Sequence, residues 1–228
     1  MPRSLRVLIP GMLYHVYLRG NDRRPVVLTG TDRAVFLATV GAAVRRSGWR
    51  CVGYCAMDNH YHLLLITPEP NLPVGMQWLN GTYARRFNTA HERDGHLWQG
   101  RYGAKPVIED EHLMRLIAYL PMNPVKAGEC DHPRDYEWSS FRAIAGLEPT
   151  PSFLDVDWTL DLFADDRDEA RRLYEQHVLE WPLDLAQLVT VLDPTQIRRA
   201  RQSGFTLREI AAHLGVSAPT VMRCNKGV

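Results

Sequence analysis

Two histidines separated by a single residue, His60 and His62, could bind a metal ion. Side chains two positions apart project from the same face of an extended strand, so both imidazoles can approach one divalent cation. The apolar segment that follows, as far as Ile66, predicts a buried strand that would hold the pair on a rigid element. The alternative is a pair of half-buried histidines whose ring nitrogens bond to carbonyl groups or water.

Tyr119 and Asn123 lie four residues apart in a segment typical of a helix. Apolar residues recur there at helical spacing: Leu113, Leu116, Ile117 and Leu120. Three acidic residues precede the segment, and Gly128 ends it. The spacing of four presents a hydroxyl and an amide oxygen on one helix face, one turn apart. The alternative makes Tyr119 an aromatic at the edge of the core and Asn123 a C-terminal cap before Pro124.

Five segments, in order, resemble those of the REP-associated tyrosine transposases, which are single-tyrosine HUH transposases; the segments are 14–21, 60–65, 97–102, 119–128 and 135–142. The resemblance implies a nuclease and strand transferase that acts on single-stranded DNA folded into hairpins. By the family pattern, His60 and His62 bind a divalent cation, Asn123 completes the metal site, and Tyr119 is the nucleophile. Pro121 departs from that pattern, and a bend caused by this proline would change the direction in which Tyr119 points.

The chemistry that the resemblance implies needs a metal. A tyrosine hydroxyl, with a pKa near 10, is a weak nucleophile at neutral pH, so the phosphodiester must be polarised. Attack by Tyr119 would leave a 5′-phosphotyrosine and a free 3′ hydroxyl, and the retained bond energy removes the need for a nucleotide triphosphate. Imidazoles with an amide oxygen suit Mg²⁺ or Mn²⁺, whereas the imidazoles alone could also hold zinc.

Two other functions remain open for the same residues. The first is a DNA-binding protein, a domesticated transposase or a repressor, that keeps the folded site but no longer cleaves. The second is a phosphodiesterase that uses water in place of Tyr119.

The order of elements predicts an α+β fold, an antiparallel sheet with helices on one side. The predicted strands are 12–19, 49–57, 60–66 and 105–108, and the predicted helices are 31–47, 76–89 and the segment around Tyr119. Thr31 or Asp32 would cap the first helix. Strands 49–57 and 60–66 leave a two-residue corner, so they should form a hairpin. The family resemblance implies the same fold, the ferredoxin-like sheet of HUH proteins.

The C-terminal residues 206–223 match a helix-turn-helix. Thr206 and Glu209 form a capping-box pattern, and Ser217 would cap the second helix. That helix would present three polar residues to the major groove of duplex DNA: Thr220, Arg223 and Lys226. The alternative is a three-helix packing module. The predicted domains are an HUH transposase domain in 1–146, an acidic helical linker region in 147–193 and a helix-turn-helix-like region in 194–228.

Charge is unevenly distributed along the chain. Residues 1–150 carry 18 basic and 14 acidic side chains, residues 151–193 carry 3 and 11, and residues 194–228 carry 6 and 1. This distribution indicates two DNA-facing surfaces and a spacer, or an acidic segment that is only a solvated helix face. DNA contacts in the first surface are predicted where basic, polar and aromatic groups meet: Arg19, Asn21, Arg101, Tyr102 and Lys105.

Four cysteines show neither a metal-binding doublet nor a disulfide framework, which fits a reducing cytoplasm. We expect a cytoplasmic protein of the bacterial type that associates with the nucleoid. Cys51 and Cys55 lie in one predicted strand, more than about 12 Å apart, so they should not bridge. The sequence shows no signal-type N-terminus, and its longest apolar segment, 34–44, is too short to span a bilayer. We expect no membrane partner, and either a monomer or a homodimer.

Overall fold

The computed structural model describes residues 8–180, 189–202, 205 and 207–226. Its centre is a four-stranded antiparallel sheet in the order β2-β3-β1-β4. The strands are β1 (Met12–Arg19), β2 (Arg50–Ala56), β3 (His60–Thr67) and β4 (Gly103–Pro106). The predicted α+β fold and the hairpin of β2 and β3 are confirmed.

The last strand begins two residues earlier than predicted, because Gly103 pairs with Tyr17 of β1. A Cβ atom at Gly103 would lie 2.4 Å from the Tyr17 ring, so only glycine lets the two strands approach there. Glycine is depleted in strands, and the sequence pattern therefore gave a start that was too late.

Helices cover both faces of the sheet, and the expectation of helices on one side is wrong. The helices are α1 (Gly30–Ser47), α2 (Leu72–Ala90) and α3 (Asp110–Lys126). The Tyr61 ring lies 5.0 Å from Phe36 of α1, whereas the His62 ring lies 5.6 Å from Tyr119 of α3, between ring centroids. Because consecutive residues of a strand point to opposite faces, α1 and α3 lie on opposite sides.

The first helix is capped by Thr29, not by the predicted Thr31 or Asp32. The Thr29 hydroxyl accepts a hydrogen bond from the Asp32 backbone N–H at 3.2 Å, and the Asp32 carboxylate accepts one from the Thr29 N–H at 2.9 Å. This reciprocal pair is a capping box, in which Asp32 takes the place usual for Glu or Gln. The second helix begins four residues before the predicted start, since Pro73 is tolerated in a first turn.

The third helix continues without interruption through Pro121 and Pro124. Pro124 has no N–H to donate to the Leu120 carbonyl, one turn earlier. The Asn123 side-chain amide donates instead to the carbonyls of Tyr119, at 2.7 Å, and Leu120, at 3.4 Å. Asn123 therefore lies inside the helix and does not cap it. The helix ends at Lys126, and Gly128 adopts the left-handed conformation, with φ of 72°.

Three further helices, α4 (Phe141–Ile144), α5 (Val156–Leu160) and α6 (Arg167–Glu180), pack on the main core. The Tyr174 ring is buried 5.6 Å from that of Phe141, and His177 Nε2 donates to the Met114 carbonyl of α3 at 2.9 Å. Most of the acidic region thus forms part of the main body. The domain boundaries at 146 and 193 remain predictions.

Three helices near the C-terminus, α7 (Pro194–Gln202), α8 (Leu207–His213) and α9 (Ala218–Lys226), form a C-terminal helical unit with its own apolar core. The core residues are Val189, Ile197, Ala200, Ile210, Ala211 and Val221. The Ser217 hydroxyl accepts a hydrogen bond from the Thr220 N–H at 3.3 Å at the start of α9, as predicted. Thr206, the first residue of the predicted capping box, lies outside the described residues.

All four cysteines are free, and Cys51 and Cys55 are buried in β2. No helix within the described ranges combines the length and apolar character needed to cross a bilayer.

Candidate active site

The face of the sheet beneath α3 brings together two imidazoles and a phenol. Between ring centroids, His62 lies 5.1 Å from His60 and 5.6 Å from Tyr119. The two histidines share this face because they are two apart on β3, and the phenol reaches them from α3. Three of the four residues predicted for metal binding and nucleophilic attack therefore lie next to one another.

Asn59, in the corner between β2 and β3, orients the first imidazole. The distance between His60 Nδ1 and Asn59 Oδ1 is 2.7 Å. An amide oxygen can only accept a hydrogen bond, so Nδ1 must carry the proton. His60 Nε2 therefore keeps its lone pair for another partner.

A third histidine, His15 of β1, holds the second imidazole. Its Nε2 lies 2.9 Å from His62 Nδ1, and the two rings are stacked at 24°. His62 Nε2 is buried and has no hydrogen-bond partner among the described residues. If His15 accepts the proton of His62 Nδ1, the buried Nε2 atom keeps a lone pair, which is the arrangement found in metal-binding histidines.

All three imidazoles are held in their neutral form. Burial lowers the pKa of His15 to about 3, with smaller contributions from Lys105 and His112. Burial and the nearby Arg19 lower the pKa of His60 to about 4. Burial and the neighbouring basic groups also hold the pKa of His62 well below its usual value. At neutral pH, no proton has to leave these rings before a cation binds.

The Tyr119 phenol is protonated at neutral pH. Burial raises its pKa above the ordinary value, as do Glu209 and Cys55, while Arg19 and the Asn123 side chain act in the opposite direction. A buried neutral phenol is a weak nucleophile. Nucleophilic attack by this phenol would therefore need an additional positive charge near the attacked group.

The donor set fits a divalent cation that also binds water or phosphate oxygens. Among the described residues, no group of three His, Cys, Asp or Glu side chains converges as a set of metal ligands. His60 and His62 offer two open Nε2 atoms, and donation by the Asn123 amide nitrogen leaves its oxygen as the group able to bind metal. Asn123 is 9% exposed and does not line the pocket beside Tyr119, so its role as a ligand stays a prediction.

The histidines and Tyr119 line a cavity of about 500 Å³ with a basic wall. Its cationic residues are Arg19, Arg101, Lys105, Arg115 and Arg201. Two of the predicted DNA contacts sit in register with the histidines, since Arg19 pairs with His60 and Lys105 pairs with His15. This geometry can hold a polyanion beside the phenol.

Two of the five DNA contacts predicted in residues 1–150 lie outside this cavity. Asn21 is exposed and begins a short 3₁₀ turn, Asn21–Arg23, after β1. Tyr102 is 8% exposed and packs in the main core, so its ring is not available to stack on a base. The flanking residues Arg101 and Gly103 line the cavity, whereas Tyr102, directly before β4, packs into the core instead.

The three predicted contacts of the C-terminal helical unit all lie on α9. Arg223 is exposed, whereas Thr220 is half-buried and its hydroxyl lies 2.8 Å from that of Ser217, where it supports the helix start. Lys226 is the last residue of α9, and its side chain lies outside the described residues.

Sequence reasoning missed four basic residues of the cavity wall: His15, His112, Arg115 and Arg201. Two of them had a usable signal. His15 lies four residues before Arg19 in β1 and so shares its face of the strand. Arg115 precedes Tyr119 by one helical turn. Arg201 had none, because its position depends on how the C-terminal helical unit packs against α3.

A family model described as "Transposase IS200 like" matches residues 9–122, half of the chain. The chain belongs to this family of IS200-like transposases. A Haemophilus influenzae protein described as a REP-associated tyrosine transposase is 27% identical over 118 residues, which are 47% of this chain. The chain spans 65% of the length of that relative.

A solved structure of a REP-associated tyrosine transposase bound to a REP hairpin aligns with a TM-score of 0.56. The alignment covers 73% of this chain and 93% of that one, at 19% identity, and shows the shared fold. The resemblance inferred from the sequence is confirmed.

Proposed function

We propose that this protein is a metal-dependent endonuclease and strand transferase for hairpin-bearing single-stranded DNA, with Tyr119 as the nucleophile. The observation that carries the proposal is the meeting of His60, His62 and Tyr119 in one basic cavity, with ring centroids 5.1 and 5.6 Å apart. The relative whose structure holds a REP hairpin supports the choice of substrate.

In this proposal, the Tyr119 oxygen attacks the phosphorus of one phosphodiester. A P–O bond forms to the phenol, the bond to the 3′ oxygen breaks, and the phenolic proton is lost while the leaving oxygen gains one. The products are a 5′-phosphotyrosine and a 3′ hydroxyl, and the reverse reaction joins the 5′ end to another 3′ hydroxyl. A divalent cation, Mg²⁺ or Mn²⁺, would neutralise charge on the phosphate.

The chain's own groups prepare this step. His60 and His62 present their Nε2 atoms because Asn59 and His15 engage the other ring nitrogens. Arg19 lowers the pKa of Tyr119, against the effect of burial, and so favours the phenolate that forms during attack. Arg101 and Lys105 are exposed at the cavity and can bind backbone phosphates. The proposal also gives α9 a contact with duplex DNA through Arg223.

The test is formation of a protein-DNA adduct. A hairpin oligonucleotide labelled at its 3′ end is incubated with the protein and Mn²⁺ and run on a denaturing gel. We expect a protein-linked labelled band that Tyr119→Phe lacks. The matched control is Tyr17→Phe, since this second phenol of the cavity lies 6.1 Å from the His62 ring, and we expect the band to persist.

Other outcomes identify the alternatives. Retarded hairpins without any adduct would favour the protein that only binds DNA. Cleavage to one product with a 3′ hydroxyl and one with a free 5′ phosphate, unaffected by Tyr119→Phe, would favour the phosphodiesterase. Loss of the adduct in Tyr17→Phe but not in Tyr119→Phe would identify Tyr17 of β1 as the nucleophile.

A further inference from the structure

Arg115, one turn before Tyr119 on α3, is a buried cation with little compensation. It is 3% exposed, and its Nε atom has no hydrogen-bond partner among the described residues. Its ion pair is to Glu111, at 3.2 Å, and that carboxylate is 70% exposed. Burial of a guanidinium is costly unless its donors are satisfied, so an anion bound beside Arg115 would stabilise it.

A second cavity, of about 340 Å³, opens beside Arg115 and continues from the tyrosine cavity. Four basic residues line both cavities: Lys105, His112, Arg115 and Arg201. Glu109 is the carboxylate in the wall of the second cavity, and it is exposed. Burial and the nearby Arg115 and Lys105 lower the pKa of His112, so that it is neutral at neutral pH. Three cations, Lys105, Arg115 and Arg201, still outnumber the carboxylate, so the cavity suits an anion.

One of these cations comes from the C-terminal helical unit. Arg201 lies on α7, and its Nη1 donates to the Phe205 carbonyl at 3.0 Å. The Phe205 ring in turn faces Lys126 of α3, whose Nζ lies 4.3 Å from the ring centroid. The same Nζ lies 5.4 Å from the Tyr119 ring, so these contacts hold the unit beside the tyrosine.

We propose that Lys105, Arg115 and Arg201 form a binding site for a backbone phosphate of the nucleic acid, next to the phosphate that Tyr119 attacks. The C-terminal helical unit thereby completes the substrate groove of the main body. The identity of the polymer rests on the proposed function, whereas the presence of an anion site rests on the buried Arg115 and the cavity around it.

The salt dependence of binding tests this site. Binding of a hairpin oligonucleotide is measured by fluorescence anisotropy at several NaCl concentrations, with Tyr119→Phe as the parent so that no adduct forms. Each phosphate contact contributes about 0.7 to the slope of log K against log salt for single strands. We expect Arg201→Gln to reduce the slope by about that amount. Equal slopes for parent and variant would overturn the proposal.

The matched control is Arg198→Gln. Arg198 is an exposed arginine of the same helix that lines neither cavity. We expect its slope to equal that of the parent. A loss of the same size in both variants would mean that α7 contributes only general charge, and would also overturn the site.

Arg115 is tested by two substitutions, since a buried residue can be needed for folding. We expect Arg115→Lys to keep the slope and Arg115→Gln to lose one contact, each checked for folding by circular dichroism. If Arg115→Gln fails to fold, the comparison of Arg201→Gln with Arg198→Gln still tests the site, because both arginines are exposed.

Inorganic pyrophosphate separates this site from the proposed function. Pyrophosphate binding is measured by isothermal titration, and we expect Arg201→Gln to weaken it about tenfold, as for loss of a hydrogen bond to a charged group. A difference that persists in a protein that forms no adduct would leave the anion site standing without the transferase. If the wild-type protein forms the adduct but Arg201→Gln changes neither the slope nor the pyrophosphate affinity, the transferase function stands and the anion site is overturned.

Discussion

At the scale of single residues, each imidazole that we propose as a metal ligand has a partner on its other ring nitrogen. Asn59 accepts a hydrogen bond from His60 Nδ1, and His15 Nε2 lies 2.9 Å from His62 Nδ1. These partners matter because a histidine that is free to rotate or to change its protonated nitrogen binds a cation less tightly.

We expect His15→Ala to weaken Mn²⁺ binding by about 10- to 100-fold, the usual effect of removing the partner of a metal-binding histidine. His15→Gln keeps an acceptor near His62 Nδ1, so it should bind more tightly than His15→Ala. Mn²⁺ affinity without DNA, measured by isothermal titration, checks this. The control is the exposed His96→Ala. Equal affinities of His15→Ala and His96→Ala would exclude the proposed role of His15.

The sequence predicted the pair on β3 because strand alternation is a local property. His60 and His62 needed only the spacing of two, and Tyr119 needed only the helical period and the family pattern. The partnership of His15 with His62 depends on the register of β1 against β3 and could not be predicted from either strand alone. The burial of Tyr102 depends on a different pairing, that of β4 with β1, which begins at Gly103.

At the scale of elements, α3 contains Pro121, the residue that departs from the family pattern. Two prolines lie inside a helix that is nevertheless continuous from Asp110 to Lys126. Pro121 removes one backbone donor and Pro124 a second, and the Asn123 amide donates to the Leu120 carbonyl that Pro124 leaves without its usual partner. The helix nevertheless places the Tyr119 ring 5.6 Å from the ring of His62 on β3, between ring centroids.

We therefore expect Pro121→Ala to change the rate of adduct formation by less than about tenfold, or about 1.4 kcal/mol in the barrier. The helix already directs Tyr119 into the cavity, so an added N–H donor should alter its position little. Single-turnover adduct formation with Mn²⁺ and a hairpin measures the rate. A much larger gain would mean that the proline holds Tyr119 in an unproductive direction.

Helix and strand positions followed from hydrophobic period, and their limits followed less well. The cap at Thr29 depends on side-chain hydrogen bonds, and the start of α2 at Leu72 depends on a proline in the first turn. Both are weak signals in the sequence. The placement of α3 on the opposite face from α1 is a tertiary choice, made by packing rather than by the pattern of either helix.

At the scale of the whole molecule, the uneven charge has a structural counterpart. Basic residues of the main body and Arg201 of the C-terminal helical unit line one cavity. The acidic segment instead contributes α6, which packs on the main core through Tyr174. The sequence showed the distribution of charge along the chain, but the meeting of both basic parts at Tyr119 depends on the contact between Lys126 and Phe205.

In the proposed function, this arrangement would separate the residues that cut DNA from those that bind it. The two histidines proposed as cation ligands lie on β3, whereas the cationic side chains that can bind phosphates lie on other elements. We expect His60→Ala to abolish the adduct and to weaken hairpin binding by less than about tenfold, or about 1.4 kcal/mol. Gel retardation and the adduct assay on the same preparations measure both, with His96→Ala as the control. Parallel loss of cutting and binding would show that the cation site also grips the DNA, because one site would then serve both tasks.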